Sequence, residues 1–184
     1  MNAYDELLAR LKDIDLVTQI GGLLGWDQEV LMPPKAAALR AEQLSWISKT
    51  GHEKLTDSRI GELLDILEQK NDLDEVQIGN IRLARDSYNK ATKLPTDFVA
   101  EMAMHKSKSQ ISWTRARAEN DFSIFRDDLS KMVEMSRKKA DYLGYEEVRY
   151  DALLDLYESG LTVSKVDPLF AGLAVTVVTI GTET

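Results

Sequence analysis

Apolar residues recur at three- and four-residue steps from the start of the chain: Tyr4, Leu7, Leu8, Leu11 and Ile14, then Val17, Ile20 and Leu24. That period predicts an amphipathic helix, although Gly21-Gly22 costs helix stability within it. Pro33-Pro34 forces a break, because a proline pushes the residue before it out of the α region. Pro34 suits the first turn of a second helix through AAALRAEQLSWISK, ending near Gly51. A third helix is predicted over roughly 57–70, with Ile60, Leu63, Leu64 and Leu67 on one face. Asn71 and Asp72 are candidate caps for a fourth, reaching about residue 91. Leu94-Pro95 is a joint, and Thr96 the expected N-cap of a long helix to about residue 119. Its stripe is Val99, Met102, Ala103, Lys106, Gln110, Trp113 and Arg117, which turns polar halfway along.

Residues 120–125 read as another joint, followed by a helix over about 126–143 closed by Gly144. A short helix is expected over about 150–158, and Asp167-Pro168 as N-cap and first-turn proline of a last one carrying Leu169, Phe170 and Leu173. The end of the chain, AVTVVTIGTET, is rich in β-branched residues and is not expected to continue that helix. No internal repeat and no strand pattern stands out, so the predicted class is all-α.

Composition narrows the function. The 184 residues suffice for one or two domains with a proper core. Hydrophobic content of 43% with 29% charged residues is that of a globular chain. No apolar run reaches membrane-spanning length, and the polar N-terminus has no signal-peptide pattern. Cysteine is absent, which excludes disulfides and thiolate chemistry. These features set the expectation of a cytoplasmic protein. A net charge of −8, without a basic cluster, argues against nucleic acid as a partner.

Candidate chemistry is sparse. His52-Glu53-Lys54-Leu55-Thr56 departs from the zinc-binding HEXXH pattern, since Thr56 stands where the second histidine is needed. A surface or capping role for His52 is expected. His105 is the other histidine, too isolated to argue a metal site or a Ser-His-Asp order. Asp27 with Glu29, Asp127 with Asp128 and Asp151 with Asp155 are carboxylate pairs of the kind that usually cap or solvate helices. Trp113 and Arg117 share a helix face. Arg117 is expected to be partly buried against a carboxylate of another helix with Trp113 beside it. The alternative is a clamp on a substrate carboxylate.

Four stretches, LLGWDQEVLMPPKAAALRAEQL, SWTRARAENDFSIF, DYLGY and YDALLDLYESGLT, carry a resemblance by their order and spacing. Over about residues 5–173 the chain resembles the N-terminal part of the carboxypeptidase Taq family. The resemblance implies an all-α multi-helix array, the N-terminal portion of a two-lobed helical HEXXH metallocarboxypeptidase fold. It implies removal of C-terminal residues from peptides by a water on zinc or another divalent metal, and a homo-oligomer, a homodimer in the family. The family's HEXXH residues and third glutamate ligand lie beyond the matched part, so no catalytic, cofactor or metal residue carries over to this chain. The expected function is that of an N-terminal fragment inactive alone. The alternative is a non-catalytic helical interaction or dimerisation protein. Residues 1–173 are expected to form the family's helical region, and 174–184 an atypical tail of the kind a frameshift or appended residues would produce. Within GWDQEVLMPP, Trp26 is expected to be buried and Asp27 to accept bonds at a turn, the segment serving as a structural corner. Trp26, Asp27, Trp113 and Arg117 are the candidate groove-wall residues.

Overall fold

The computed structural model describes residues 2–182, with side chains through Leu173. The helices are α1 (Ala3–Val30), α2 (Ala37–Leu55), α3 (Ser58–Glu68), α4 (Glu75–Thr92), α5 (Thr96–Glu119), α6 (Ser123–Leu143), α7 (Asp151–Leu154) and α8 (Val163–Thr182). A 3-10 turn, Pro34–Ala36, precedes α2. Among the described residues there is no strand. The chain divides into two compact units, Met1–Met135 and Ser136–Thr184.

In the first unit, the N-terminal half of α1 packs on the α3–α4 pair. Leu7, Ile60, Leu63, Leu64 and Leu67 are fully buried, with Ile81 and Ala84 completing the cluster. Each large side chain so buried contributes roughly 1.5–3 kcal/mol. Gly61 admits Tyr88 of α4, whose hydroxyl would stand 2.7 Å from an added Cβ. Charge locks the same faces together. Arg59 donates from Nε and Nη2 to the two oxygens of Glu6, both at 2.8 Å. Arg85 makes the equivalent fork on Glu68 between α4 and α3. Forked guanidinium–carboxylate pairs fix geometry as well as adding energy.

The remainder of the unit is built on α2, which packs against α1 on one side and α5 on another. Residues nearly equidistant from Pro33-Pro34 face each other across the α1–α2 hairpin. A Cβ on Gly21 would stand 3.4 Å from Ile47 Cγ2, and one on Gly51 3.4 Å from Val17 Cγ1. Lys54 reaches Asp13, and Arg40 reaches Asp27. Arg40 holds the corner with three bonds: 2.5 Å to the Leu24 carbonyl, 2.5 Å to Asp27 Oδ2 and 3.0 Å to Gln43. Its guanidinium lies at the C-terminal end of α1, where the helix dipole favours a cation.

Several boundaries differ from the sequence-based expectation. Gly21-Gly22 does not interrupt α1, and α2 runs through Gly51 to Leu55. Neither Asn71 nor Asp72 caps α4. Asp74 does, in a reciprocal capping box with Gln77 that satisfies two otherwise orphaned N–H groups. Thr96 is the first residue of α5 rather than its cap. Asn120, at φ 51°, ends that helix in the left-handed conformation. Asp121 accepts the Ser123 N–H at 2.8 Å, so α6 starts ahead of residue 126.

In the second unit, Gly144 follows α6 at φ 83°, as expected of a helix-closing glycine. The segment expected helical over 150–158 holds only the one turn of α7, and Asp155 accepts the Gly160 N–H where the chain reverses at φ 77°. The last helix starts at Val163, whose N–H is received by Asp151 at 2.7 Å. Asp167-Pro168 therefore does not start it, and Pro168 lies inside. At the sixth position of the helix the proline lacks the N–H that would reach the carbonyl four residues earlier, so one ladder bond is absent there. The helical backbone continues to Thr182, against the expectation of a break after Leu173. The propensity deficit of Val and Thr is only tenths of a kcal/mol per residue, too small to end a helix.

The Arg59 fork holds the Glu6 carboxyl at about 2, below its ordinary 4.5. A depressed carboxyl stabilises the fold above its unfolded value and loses that contribution as pH falls through the folded one. Thermal melts should therefore show a stability loss between pH 4.5 and pH 2 that is smaller in Arg59→Met. Identical pH profiles for the two proteins would remove the assignment. At the corner, Arg40 is 12% and Asp27 33% exposed in their side chains. Arg40→Met, which orphans Asp27, should lower urea-unfolding stability by about 1–3 kcal/mol, and a midpoint within error of the parent would show the pair to be idle.

Candidate functional site

The mixed stripe of α5 passes from one cavity to another. Val99 lines an apolar groove of about 420 Å³ between α1 and α2, together with Val17, Ile47 and Leu55. One turn on, Ala103, Lys106 and Gln110 line a polar cavity of about 260 Å³. Gly21, Gly25, Gln28 and Glu29 form its α1 wall, and Leu44 and Ser48 its α2 wall. Nothing lies within 4 Å of a Cβ built on Gly25, so the glycine leaves the wall open.

This cavity is framed by side chains that clip α5 to its neighbours. Ser107, only 3% exposed, donates its hydroxyl to Gln28 Oε1 at 2.5 Å. Gln28 Nε2 returns a bond to the Ser107 carbonyl at 3.5 Å. Ser45 of α2 donates to the Ala100 carbonyl at 2.9 Å. Glu29 and Lys106 line the cavity with opposite charges, and neither has an ion-pair partner among the described residues. The lining offers donors and acceptors of both signs, suited to an amide-bearing ligand. It holds no paired nucleophile and base.

The four groove-wall candidates occupy other surfaces. Trp26 is 53% exposed, not buried as expected. Its neighbours Gly25, Asp27 and Gln28 take the faces of α1 turned to α2 and α5, leaving position 26 outward. Asp27 accepts from the Arg40 side chain rather than from turn N–H groups. Trp113 is 40% exposed, with the Arg117 guanidinium 5.6 Å from its ring centroid. Arg117 is exposed and has no carboxylate partner among the described residues, which corrects the expected interhelical pair. The indole face supplies the contact instead, while the charged head stays hydrated. None of the four lines the polar cavity. Gln28, Ser107 and Arg40 are functional positions beyond the sequence-based candidates. For Arg40 a signal exists, since it mirrors Asp27 about the proline corner. For the Gln28–Ser107 pair, 79 residues apart, none does.

Both histidines are committed to structure. His52 Nε2 faces the Ala91 carbonyl at 3.0 Å, so it carries the proton, and Nδ1 accepts from the Thr96 hydroxyl at 3.0 Å. It thereby caps the end of α4 and ties α2 to the start of α5. Folding does bring Ser109, His105 and Asp128 together, an arrangement the sequence did not suggest. His105 Nε2 lies 3.2 Å from Ser109 Oγ and 3.0 Å from the Asp128 carbonyl, with Asp128 Oδ1 4.0 Å from Nδ1. A nitrogen that donates to a carbonyl cannot also take a proton from serine, so this is no catalytic triad. Asp151 and Asp155 serve as caps, as carboxylate pairs on helices usually do. Among the described residues no three His, Asp or Glu side chains group closely enough to hold a metal ion.

Comparison with known proteins accounts for this helical array. The family model of the carboxypeptidase Taq (M32) metallopeptidases matches residues 6–183, which includes most of the β-branched end of the chain. Thermostable carboxypeptidase 1 of Pyrococcus furiosus is 34% identical over 165 residues, 90% of this chain and 33% of that protein. Carboxypeptidase 1 of Bacillus subtilis is 34% identical over 91% of this chain and 34% of its own length. The BsuCP crystal structure superimposes with a TM-score of 0.90 at 33% identity, over 94% of this chain and 35% of that one. The M32 carboxypeptidase of Deinococcus radiodurans superimposes with a TM-score of 0.78 at 31% identity, over 97% and 36%. The chain thus spans about a third of the length of these relatives. On this match across nearly all of its residues, the chain belongs to the carboxypeptidase Taq (M32) metallopeptidase family.

Proposed function

We propose that this chain supplies the N-terminal third of a metallocarboxypeptidase that removes C-terminal residues from peptides. The match of residues 6–183 to a metallopeptidase family, at a third of the relatives' length, carries the reading. Zinc or another divalent metal, the attacking water and the HEXXH residues belong to the part outside this chain. Residues 2–173 act as the helical scaffold, and the polar cavity on α1, α2 and α5 is a wall of the space that peptides enter. We place the protein in the cytoplasm, a reading supported by the absence of cysteine and by the lack of any described helix long and apolar enough to cross a membrane.

A second reading, a helical interaction or dimerisation protein, is favoured by one observation. Leu16, Ile20 and Leu23 of α1 and Leu39 and Trp46 of α2 are exposed large apolar side chains on paired helices. Faces of this kind promote association. Light scattering of the purified chain should find oligomers, and a monomer at every concentration would count against this reading.

The chain alone should retain no stoichiometric metal after dialysis and should not hydrolyse a blocked dipeptide. A chimera carrying residues 6–183 in place of the matching third of the Bacillus subtilis carboxypeptidase should release C-terminal residues. Turnover by the chain alone, or a folded and metal-loaded chimera without activity, would overturn the proposal.

A further inference from the structure

The α3–α4 hairpin carries a cavity that takes no part in the reading above. Its volume is about 380 Å³, within the range of small-ligand pockets. The floor is apolar: Leu67 and Ile81 are buried core residues, and Leu73 and Ile78 extend the surface outward. The charged lining consists of Lys70, Arg82 and Arg85 against one carboxylate, Glu68. Glu68 is already neutralised, since Arg85 forks onto it at 2.8 and 2.9 Å and also reaches Asp65. Lys70 and Arg82 have no ion-pair partner among the described residues. Two uncompensated cations thus rim an apolar floor on a chain whose net charge is −8. The local sign opposes the global one.

We propose that this cavity binds a small monocarboxylate bearing an apolar group. The carboxylate would meet Lys70 and Arg82, which offer charge-assisted donors. The apolar group would cover Ile78 and Leu73 and gain by leaving water. A neutral ligand would forgo the cations, and a cationic one would be repelled by them. A fatty acid and a free C-terminal hydrophobic residue share this chemistry.

The test uses the 184-residue chain and three probes with matched apolar tails or size: octanoate, N-acetyl-phenylalanine and octylamine. Methyl NMR titration should show saturable shifts of Leu73, Ile78 and Ile81 with at least one of the carboxylates, at a dissociation constant of about 1 mM. Octanoate alone would assign the site to acyl chains, and N-acetyl-phenylalanine to C-terminal residues. Octylamine should bind these residues at least about tenfold more weakly than the better carboxylate, despite the attraction of the acidic chain for cations. The Lys70→Met, Arg82→Met double variant replaces two exposed side chains. With its helical circular dichroism unchanged, it should lose about tenfold or more in carboxylate affinity. No saturation with either carboxylate by about 20 mM, equal binding of octylamine, or parental affinity in the folded double variant would each overturn the proposal.

Discussion

Two consecutive prolines cannot sit inside one helix, and the arrangement of the first unit depends on that constraint. Pro33 holds an extended backbone at φ −66°, ψ 143°, and Pro34 opens the turn into α2. The reversal is therefore placed to within a residue or two, and with it the register of α1 on α2. Once the register is fixed, glycines meet branched side chains at Gly21–Ile47 and Gly51–Val17, and opposite charges meet at Asp27–Arg40 and Asp13–Lys54. A slip of one residue rotates each helix by about 100° and would separate all of these partners at once. The corner also delivers the next step of the architecture. With Asp27 occupied by Arg40, the adjacent Gln28 is turned toward α5, where it finds Ser107.

What the sequence made legible follows from the range over which each signal acts. Helix existence rests on apolar period, a local property, and the longer expected helices all appear, while the segment expected over 150–158 keeps a single turn. Helix ends rest on single hydrogen bonds, where several residues compete. Asn71, Asp72 and Asp74 are all capable caps, and Asp72 with Glu75 matches the reciprocal pattern as well as Asp74 with Gln77, so local sequence does not choose the pair that forms. Pro168 is ambiguous as a start signal for a related reason. A proline suits the first turn of a helix, but a helix capped from afar by Asp151 can begin earlier and absorb it.

The candidate site was legible on one side only. The loss of apolar character along α5 was readable and corresponds to its passage from the apolar groove to the polar cavity. The opposing wall comes from α1, far away in sequence, and no period encodes which residue will stand across. Size alone does not determine burial in this chain. Trp26 is large, yet its neighbours claim both packed faces of α1 and leave it outward. Arg117 likewise stays in solvent because an indole four residues before it supplies a partner without desolvation.

The buried polar groups of α5 decide what chemistry the described residues can perform. His105 and Ser109 share one buried face of α5 and Ser107 takes another, at positions where apolar residues would have packed more cheaply. Each has a partner, and among the described residues no buried side-chain polar atom lacks one. Satisfied polar networks of this kind specify a single packing arrangement more than they add to its free energy. Ser107 ties α5 to α1, and His105 ties it to α6 with Ser109 beside it. Held in that way, none of the three presents a hydroxyl nucleophile beside a base free to take its proton. The charges left uncommitted lie elsewhere, Glu29 and Lys106 at one cavity and Lys70 and Arg82 at another. Isolated charges at the rims of cavities recognise and orient a ligand. Bond cleavage demands an activated nucleophile with a base beside it, and that pairing must come from residues other than these.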